Sequence, residues 1–283
     1  MDLNKKILKL GLIFIGILMT ISFRLFLYLK LDNPVFLKSY IEEGVSQNLE
    51  YYEPIELQIR YITNSYDDIK IDYIELIEDN GKFNKLKGRR LYDRVESYGL
   101  YNVNVVGMEI SPNLLKENFD ILEFNKAKAF FNNGENMDVD LGKVILYKHY
   151  WNDDYFEGRT SGGSSDGTSY SENVLKQDIS LIKLESPLFE DAKGLYDIKI
   201  DGKDYREIFG LNYEKGEILR VDSIFETPKD ILDRYTHYEL QPRLYFKDSM
   251  DKKSYINVYN TRHIPYYFKF GDIYNYLRAR GEI

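Results

Sequence analysis

Residues 10–29 read LGLIFIGILMTISFRLFLYL, and no other feature constrains this chain so strongly. As a helix the run would be roughly 30 Å long, enough to cross the hydrocarbon core of a bilayer. Its single charge, Arg24, lies near the end, where a long side chain snorkels to the headgroups. Tyr28 and Lys30 follow at the positions of interfacial anchors. A soluble protein would bury such a helix against others of similar apolarity, and none follows.

A cleaved signal peptide is the rival reading. Its basic leading stretch is present, but an A-x-A cleavage site is not. A cut after the small residues Thr20 and Ser22 would leave FRLFLYL as an apolar new terminus. With no Cys in the chain, lipoprotein processing is excluded. The run is therefore read as an uncleaved signal anchor. Lys5, Lys6 and Lys9 precede it, while Arg24, Lys30 and Lys38 end or follow it, so the Lys/Arg count is nearly tied. The α-amino group and the place of Arg24 inside the segment tip the balance. The expectation is a cytoplasmic tail over 1–9, a bilayer span over 10–29 and an extracytoplasmic body.

Charge separates the two parts further. The 283 residues carry a net charge of −8, of which residues 1–31 carry +4 (Lys5, Lys6, Lys9, Arg24 and Lys30 against Asp2). The remainder carries −12, which argues against a general binder of nucleic-acid backbones.

After the anchor, Asn33-Pro34 has the form of a helix start, and Phe36, Leu37, Tyr40, Ile41, Val45 and Leu49 recur at helical spacing. Residues 30–50 are thus expected to form an amphipathic connecting helix. From residue 51 the period changes to two. Ile55, Leu57, Ile59 and Tyr61 alternate with polar residues, and Ile69, Ile71 and Tyr73 resume the pattern after a turn. Residues 101–110, 139–150, 178–185, 196–201, 216–222, 240–247 and 254–260 are further strand candidates. Asp201-Gly202 is a two-residue hairpin signal. Short helices are expected after Ser111-Pro112, around 124–131, and from Thr227-Pro228 to about Tyr235.

Many short strands with 26 Tyr and 16 Phe, and no regular strand–helix alternation, predict an antiparallel, sandwich-like body with a few short helices. One β-sandwich-like domain over 51–186 is expected, with 187–283 a second β-rich domain or its continuation.

Chemistry is sparsely signalled. Trp151, Asp153, Asp154 and Tyr155 fall at a strand end in HYWNDDYF, where an aromatic beside carboxylates could stack on a sugar. They are the candidate ligand-binding residues. Residues 158–171 (GRTSGGSSDGTSYS) read as a flexible surface loop, and a nucleophile elbow there would need a strand-to-helix turn. His237 and His263 lack a nearby His or Cys partner, so no metal is expected. The sequence reading is a non-enzymatic, membrane-anchored binding or assembly protein of the cell envelope, without a cofactor. Its partners would be the bilayer through 10–29 and an envelope protein or glycan. The alternative is an anchored hydrolase using a carboxylate such as Asp153 or Asp154.

Overall fold

The computed structural model describes residues 2–46, 54–78, 86–111, 121–149, 154–164, 166–257, 260–265 and 268–283. Helix α1 (Asp2–Leu29) contains the apolar run; Lys6–Leu29 has a mean hydropathy of 2.2 and is exposed along its length except at its C-terminal end, where Phe26 is half-buried and Leu29 buried. It is long and apolar enough to cross a membrane.

Everything after α1 is mainly β. Eight strands come first: β1 (Val35–Phe36), β2 (Ser39–Ser46), β3 (Ile55–Asn64), β4 (Ile71–Glu78), β5 (Leu86–Tyr98), β6 (Tyr101–Ile110), β7 (Ile121–Phe131) and β8 (Asn136–His149). They join the later β16 (His237–Leu240) and β19 (Thr261–His263) in a ten-stranded sheet of order β1-β3-β6-β5-β4-β7-β8-β2-β16-β19. Only Leu37 and Lys38 separate β1 from β2 in sequence, yet β1 lies at one end of that order and β2 far along it. The sheet must therefore curl back on itself. Its concave face is packed by alternate residues such as Leu57, Ile59, Ile74, Leu76, Val106, Met108, Phe124, Val144 and Leu146.

The remaining strands form a β-sandwich. One layer is β13-β12-β15-β10-β9, built from β9 (Phe156–Gly163), β10 (Thr168–Leu175), β12 (Tyr196–Ile200), β13 (Lys203–Asp204) and β15 (Ile218–Phe225). The other is β14-β11-β17-β18, built from β11 (Ile179–Glu185), β14 (Asn212–Tyr213), β17 (Arg243–Asp248) and β18 (Lys253–Asn257). Leu175, Ile198, Leu219 and Val221 face Ile179, Leu181, Leu244 and Phe246 across the core. Strands from both sides of residue 186 line it. Ile145, Leu188, Ala192, Phe225, Tyr238 and Leu240 form a smaller cluster joining the sandwich to the curled sheet.

Three expectations are corrected. Residues 30–50 hold β1 and β2, not a helix. β2 lies inside the sheet between β8 and β16, parallel to both, and is covered on both faces. Such a strand has a near-continuous buried run, which periodicity alone does not separate from a helix. Residues 124–131 belong to β7. A register shift between Phe124 and Lys126 moves the buried phase from Phe124 to Ala127, which breaks the alternation. Residues 158–171 form the β9–β10 hairpin. Its small polar side chains bury little, but its backbone is paired, with β10 bonded to β15 on its other edge.

The helix expected after Ser111-Pro112 lies outside the described residues, as do Trp151 and Asp153. Helix α2 (Ile231–Arg234) is capped by Asp230 rather than by Thr227. Asp201 and Gly202 take φ of 48° and 78°, the left-handed pair a two-residue hairpin turn requires. Strand β5 and helix α3 (Phe270–Ala279) were not anticipated. α3 packs Ile273, Tyr276 and Leu277 against Ile62, Tyr101 and Val103.

Candidate functional site

A cleft of about 830 Å³ opens where the sandwich meets the curled sheet. The β9–β10 hairpin supplies one wall, including Ser161, Ser164, Asp166, Thr168, Ser169 and Tyr170. Glu239 from β16, Asn257 from β18, and Asn260, Arg262 and His263 at β19 supply the other.

The hairpin is shaped by its turn. Ser164 N–H donates to the Thr168 carbonyl at 2.8 Å, and Asp166 Oδ1 accepts from Thr168 N–H at 3.0 Å and from Thr168 Oγ1 at 2.6 Å. Gly167 takes φ +89°, and a Cβ there would run into the Phe225 carbonyl. Only glycine meets both demands. Gly163-Ser164-Ser165-Asp166-Gly167 has the letters G-x-S-x-G, but it joins two strands, whereas a nucleophile elbow joins a strand to a helix.

The opposite wall is charged and partly dry. Glu239 faces Arg262 across the β16–β19 pair. Burial raises the Glu239 carboxyl, while Arg262 and Arg60 pull it down. His237 is fully buried and held well below the usual imidazole range, first by burial and then by Arg60, His263 and Arg262. Its Nε2 lies 3.6 Å from Glu239 Oε2. A neutral imidazole at that distance makes neither an ion pair nor a hydrogen bond. Both ring nitrogens of His237, Asn257 Oδ1 and Thr261 Oγ1 are buried without a hydrogen-bond partner among the described residues. His263 stacks on Phe225, with centroids 5.7 Å apart, and its Nε2 lies 3.0 Å from the Arg234 carbonyl oxygen.

Behind the cleft runs a buried polar row. Asn257 Nδ2 donates to Tyr147 Oη, and Tyr147 Oη donates to Gln241 Oε1 at 3.0 Å. Gln241 Nε2 donates to Glu43 Oε2 at 3.0 Å. Burial, reinforced by Glu239, pushes the Glu43 carboxyl up to about 7.

Of the residues singled out from sequence, Asp154 lies exposed in the turn before β9, and its carbonyl accepts from Gln177 Nε2 at 3.1 Å. Tyr155 is buried. Its hydroxyl donates to Asp248 Oδ2 at 2.8 Å, and its ring meets Phe246 edge-on at 4.9 Å. Neither lines the cleft. Sequence reasoning missed Glu239, Asn257 and Arg262, and weighed His237 and His263 only as zinc ligands. The available signal was a histidine and a glutamate on alternate positions of a strand otherwise rich in Tyr and Leu. Among the described residues no group of three His, Cys, Asp or Glu side chains could hold a metal ion.

No protein-family model and no curated protein matches the sequence. Solved structures align over most of the chain at low similarity. The fibronectin(III)-like modules of Clostridium thermocellum CbhA align at 10% identity and a TM-score of 0.17, over 82% of this chain and 90% of that one. A Parabacteroides merdae β-glucuronidase gives 10% identity and 0.19, over 82% of this chain and 24% of that one. An α-L-rhamnosidase from Dictyoglumus thermophilum gives 11% and 0.20, over 80% and 28%. Scores this low do not place the chains in one fold.

Proposed function

We propose that this chain is a membrane-anchored, extracytoplasmic binding protein of the cell envelope that takes a neutral glycan into the cleft. One observation carries the reading: Asn257, whose buried Oδ1 has no hydrogen-bond partner among the described residues, lines a cleft in which hydroxyl and amide side chains outnumber charged ones. A buried polar atom without a partner costs about 1–3 kcal/mol, and sugar hydroxyls both donate and accept. Glu239 and Arg262 offset one another and Asp166 adds a negative charge to the wall, which disfavours an anionic ligand and suits a hydroxyl-rich one. The anchor is α1, with Lys5, Lys6 and Lys9 on the cytoplasmic side.

The test uses the full chain in phospholipid nanodiscs, free of sugar detergents. Titration calorimetry with the β-1,4-linked tetramers of N-acetylglucosamine and of glucose should show saturable binding of at least one. Glu239→Gln and Asn257→Ala should each weaken it about tenfold or more. Folded protein that binds neither at millimolar concentration would sink the glycan reading. New reducing ends, lost in Glu239→Gln, would replace it with the hydrolase alternative. Protease added outside wall-stripped cells should cut the body, and full protection would reverse the orientation.

A further inference from the structure

Strand β5 runs well past its neighbour β4. β4 pairs with β5 only from Leu86 to Arg89, whereas β6 pairs with it from Gly88 to Tyr98. Beyond Arg89, among the described residues, no strand covers the other edge of β5, and residues 91–97 make no backbone hydrogen bond except to β6. Residues 89–95 are exposed on both faces, with Leu91, Tyr92 and Val95 among the exposed large apolar side chains. A long open edge of this kind is a template for another strand.

The turn fixes which groups point outward. Tyr98 and Tyr101 close a two-residue hairpin turn with Gly99 at φ +68°, so that pair is hydrogen-bonded. By alternation, Glu96 and Arg94 also bond to β6, and the N–H and C=O groups of Asp93, Val95 and Ser97 face the open side.

Charge then selects the occupant. Two identical strands pair antiparallel about a twofold that lies on one residue facing its own copy. Centring on Asp93, Arg94 or Glu96 sets like charges directly opposite, which is destabilising. Centring on Val95 sets Val95 on Val95, Arg94 on Glu96 twice over, and Tyr92 on Tyr98. The same centre uses the outward backbone groups of Asp93, Val95 and Ser97. Residues 89–98 carry neither the lysines nor the prolines that commonly blunt an open edge, and about Val95 their charges complement themselves.

We infer that the chain forms a homodimer by antiparallel pairing of the free β5 edge, residues 91–98, about a twofold at Val95. The test uses the full chain in zwitterionic detergent, followed by sedimentation equilibrium. The parent should show a monomer–dimer equilibrium. Arg94→Glu should raise the dissociation constant about tenfold or more, and Arg94→Glu/Glu96→Arg should bring it back to within about threefold. Val95→Cys introduces the only thiol in the chain. On mild oxidation in membranes it should give roughly fivefold more disulfide-linked dimer than Lys193→Cys, which sits on an exposed turn. Circular dichroism verifies that each variant is folded. A parent that stays monomeric, a dimer indifferent to Arg94→Glu, a double variant that fails to recover, or Val95→Cys crosslinking no better than Lys193→Cys would each overturn the inference.

Discussion

Ser186 Oγ donates a hydrogen bond to the Glu42 carboxylate at 2.9 Å, across 144 residues of chain. The same oxygen accepts from the Gln241 backbone N–H at 2.8 Å, so one side chain of β2 ties together two distant segments at the joint between sheet and sandwich. The other oxygen is buried and has no hydrogen-bond partner among the described residues. Burial pushes the carboxyl up to about 7, against the opposing pull of Gln241, Ser186 and Arg243.

That shift fixes a pH dependence. The folded chain holds the Glu42 proton up to about pH 7, while the unfolded chain releases it near 4.5. Between those values the folded state binds more protons, so this group's contribution to stability is present at low pH and is lost as pH rises. Each pH unit in that window changes it by about 1.4 kcal/mol. Glu42→Gln keeps an acceptor for Ser186 and Gln241 but has nothing to titrate. Urea midpoints of the full chain at pH 5 and 7.5 should show the parent losing stability relative to Glu42→Gln. Parallel pH profiles would contradict the assignment.

The exit from α1 is fastened by backbone bonds. Tyr101 Oη donates to the Leu29 carbonyl at 2.7 Å, and Asn64 both donates to the Leu31 carbonyl and accepts from the Leu31 N–H, each at 2.9 Å. Asn64→Ala leaves both Leu31 groups unpaired in a buried place and should cost about 2–4 kcal/mol. The loss should be visible as faster proteolysis between α1 and β1.

Gly167 and Gly163 make a matched pair at the cleft. Gly167→Ala must fit a Cβ at φ +89° against the Phe225 carbonyl, and should cost about 2 kcal/mol or more along with oligosaccharide binding. Gly163→Ala meets only ordinary contacts at 3.5 Å, so its melting temperature should stay close to that of the parent. Thermal melts followed by circular dichroism separate the two.

Tyr155→Phe removes the hydrogen bond to Asp248 without opening the packing against Phe246. Its melting temperature should fall by about 2–4 °C while oligosaccharide affinity stays unchanged. A fall in affinity with an intact fold would restore Tyr155 to the binding site.

The legible parts of this fold are those where one side of an element faces the core. Residues 55–59 of β3 alternate cleanly, and Asp201-Gly202 marks its turn, because each has one chemical reading. β2 was illegible because both its faces are covered and it carries the fully buried Glu42, where acid normally signals solvent. The β9–β10 hairpin was illegible because its order comes from the ladder supplied by β15, which no side chain of residues 158–171 announces. The cleft was harder still. Its walls come from residues 161–171 and 225–264, and only the folded chain brings them together.

The fastening at Leu29 and Leu31 leaves a single residue, Lys30, between the last turn of the helix and the buried bonds of the sheet. A swivel would need several unbonded residues there, and the chain provides none. Torque applied to the helix therefore passes into β3 and β6 rather than dissipating in a tether. With about 42 Å of helix as the arm, a tilt of about 10° at the joint moves its free end by roughly 7 Å. The helix is a handle, and whatever grips it sets the bearing of everything beyond it.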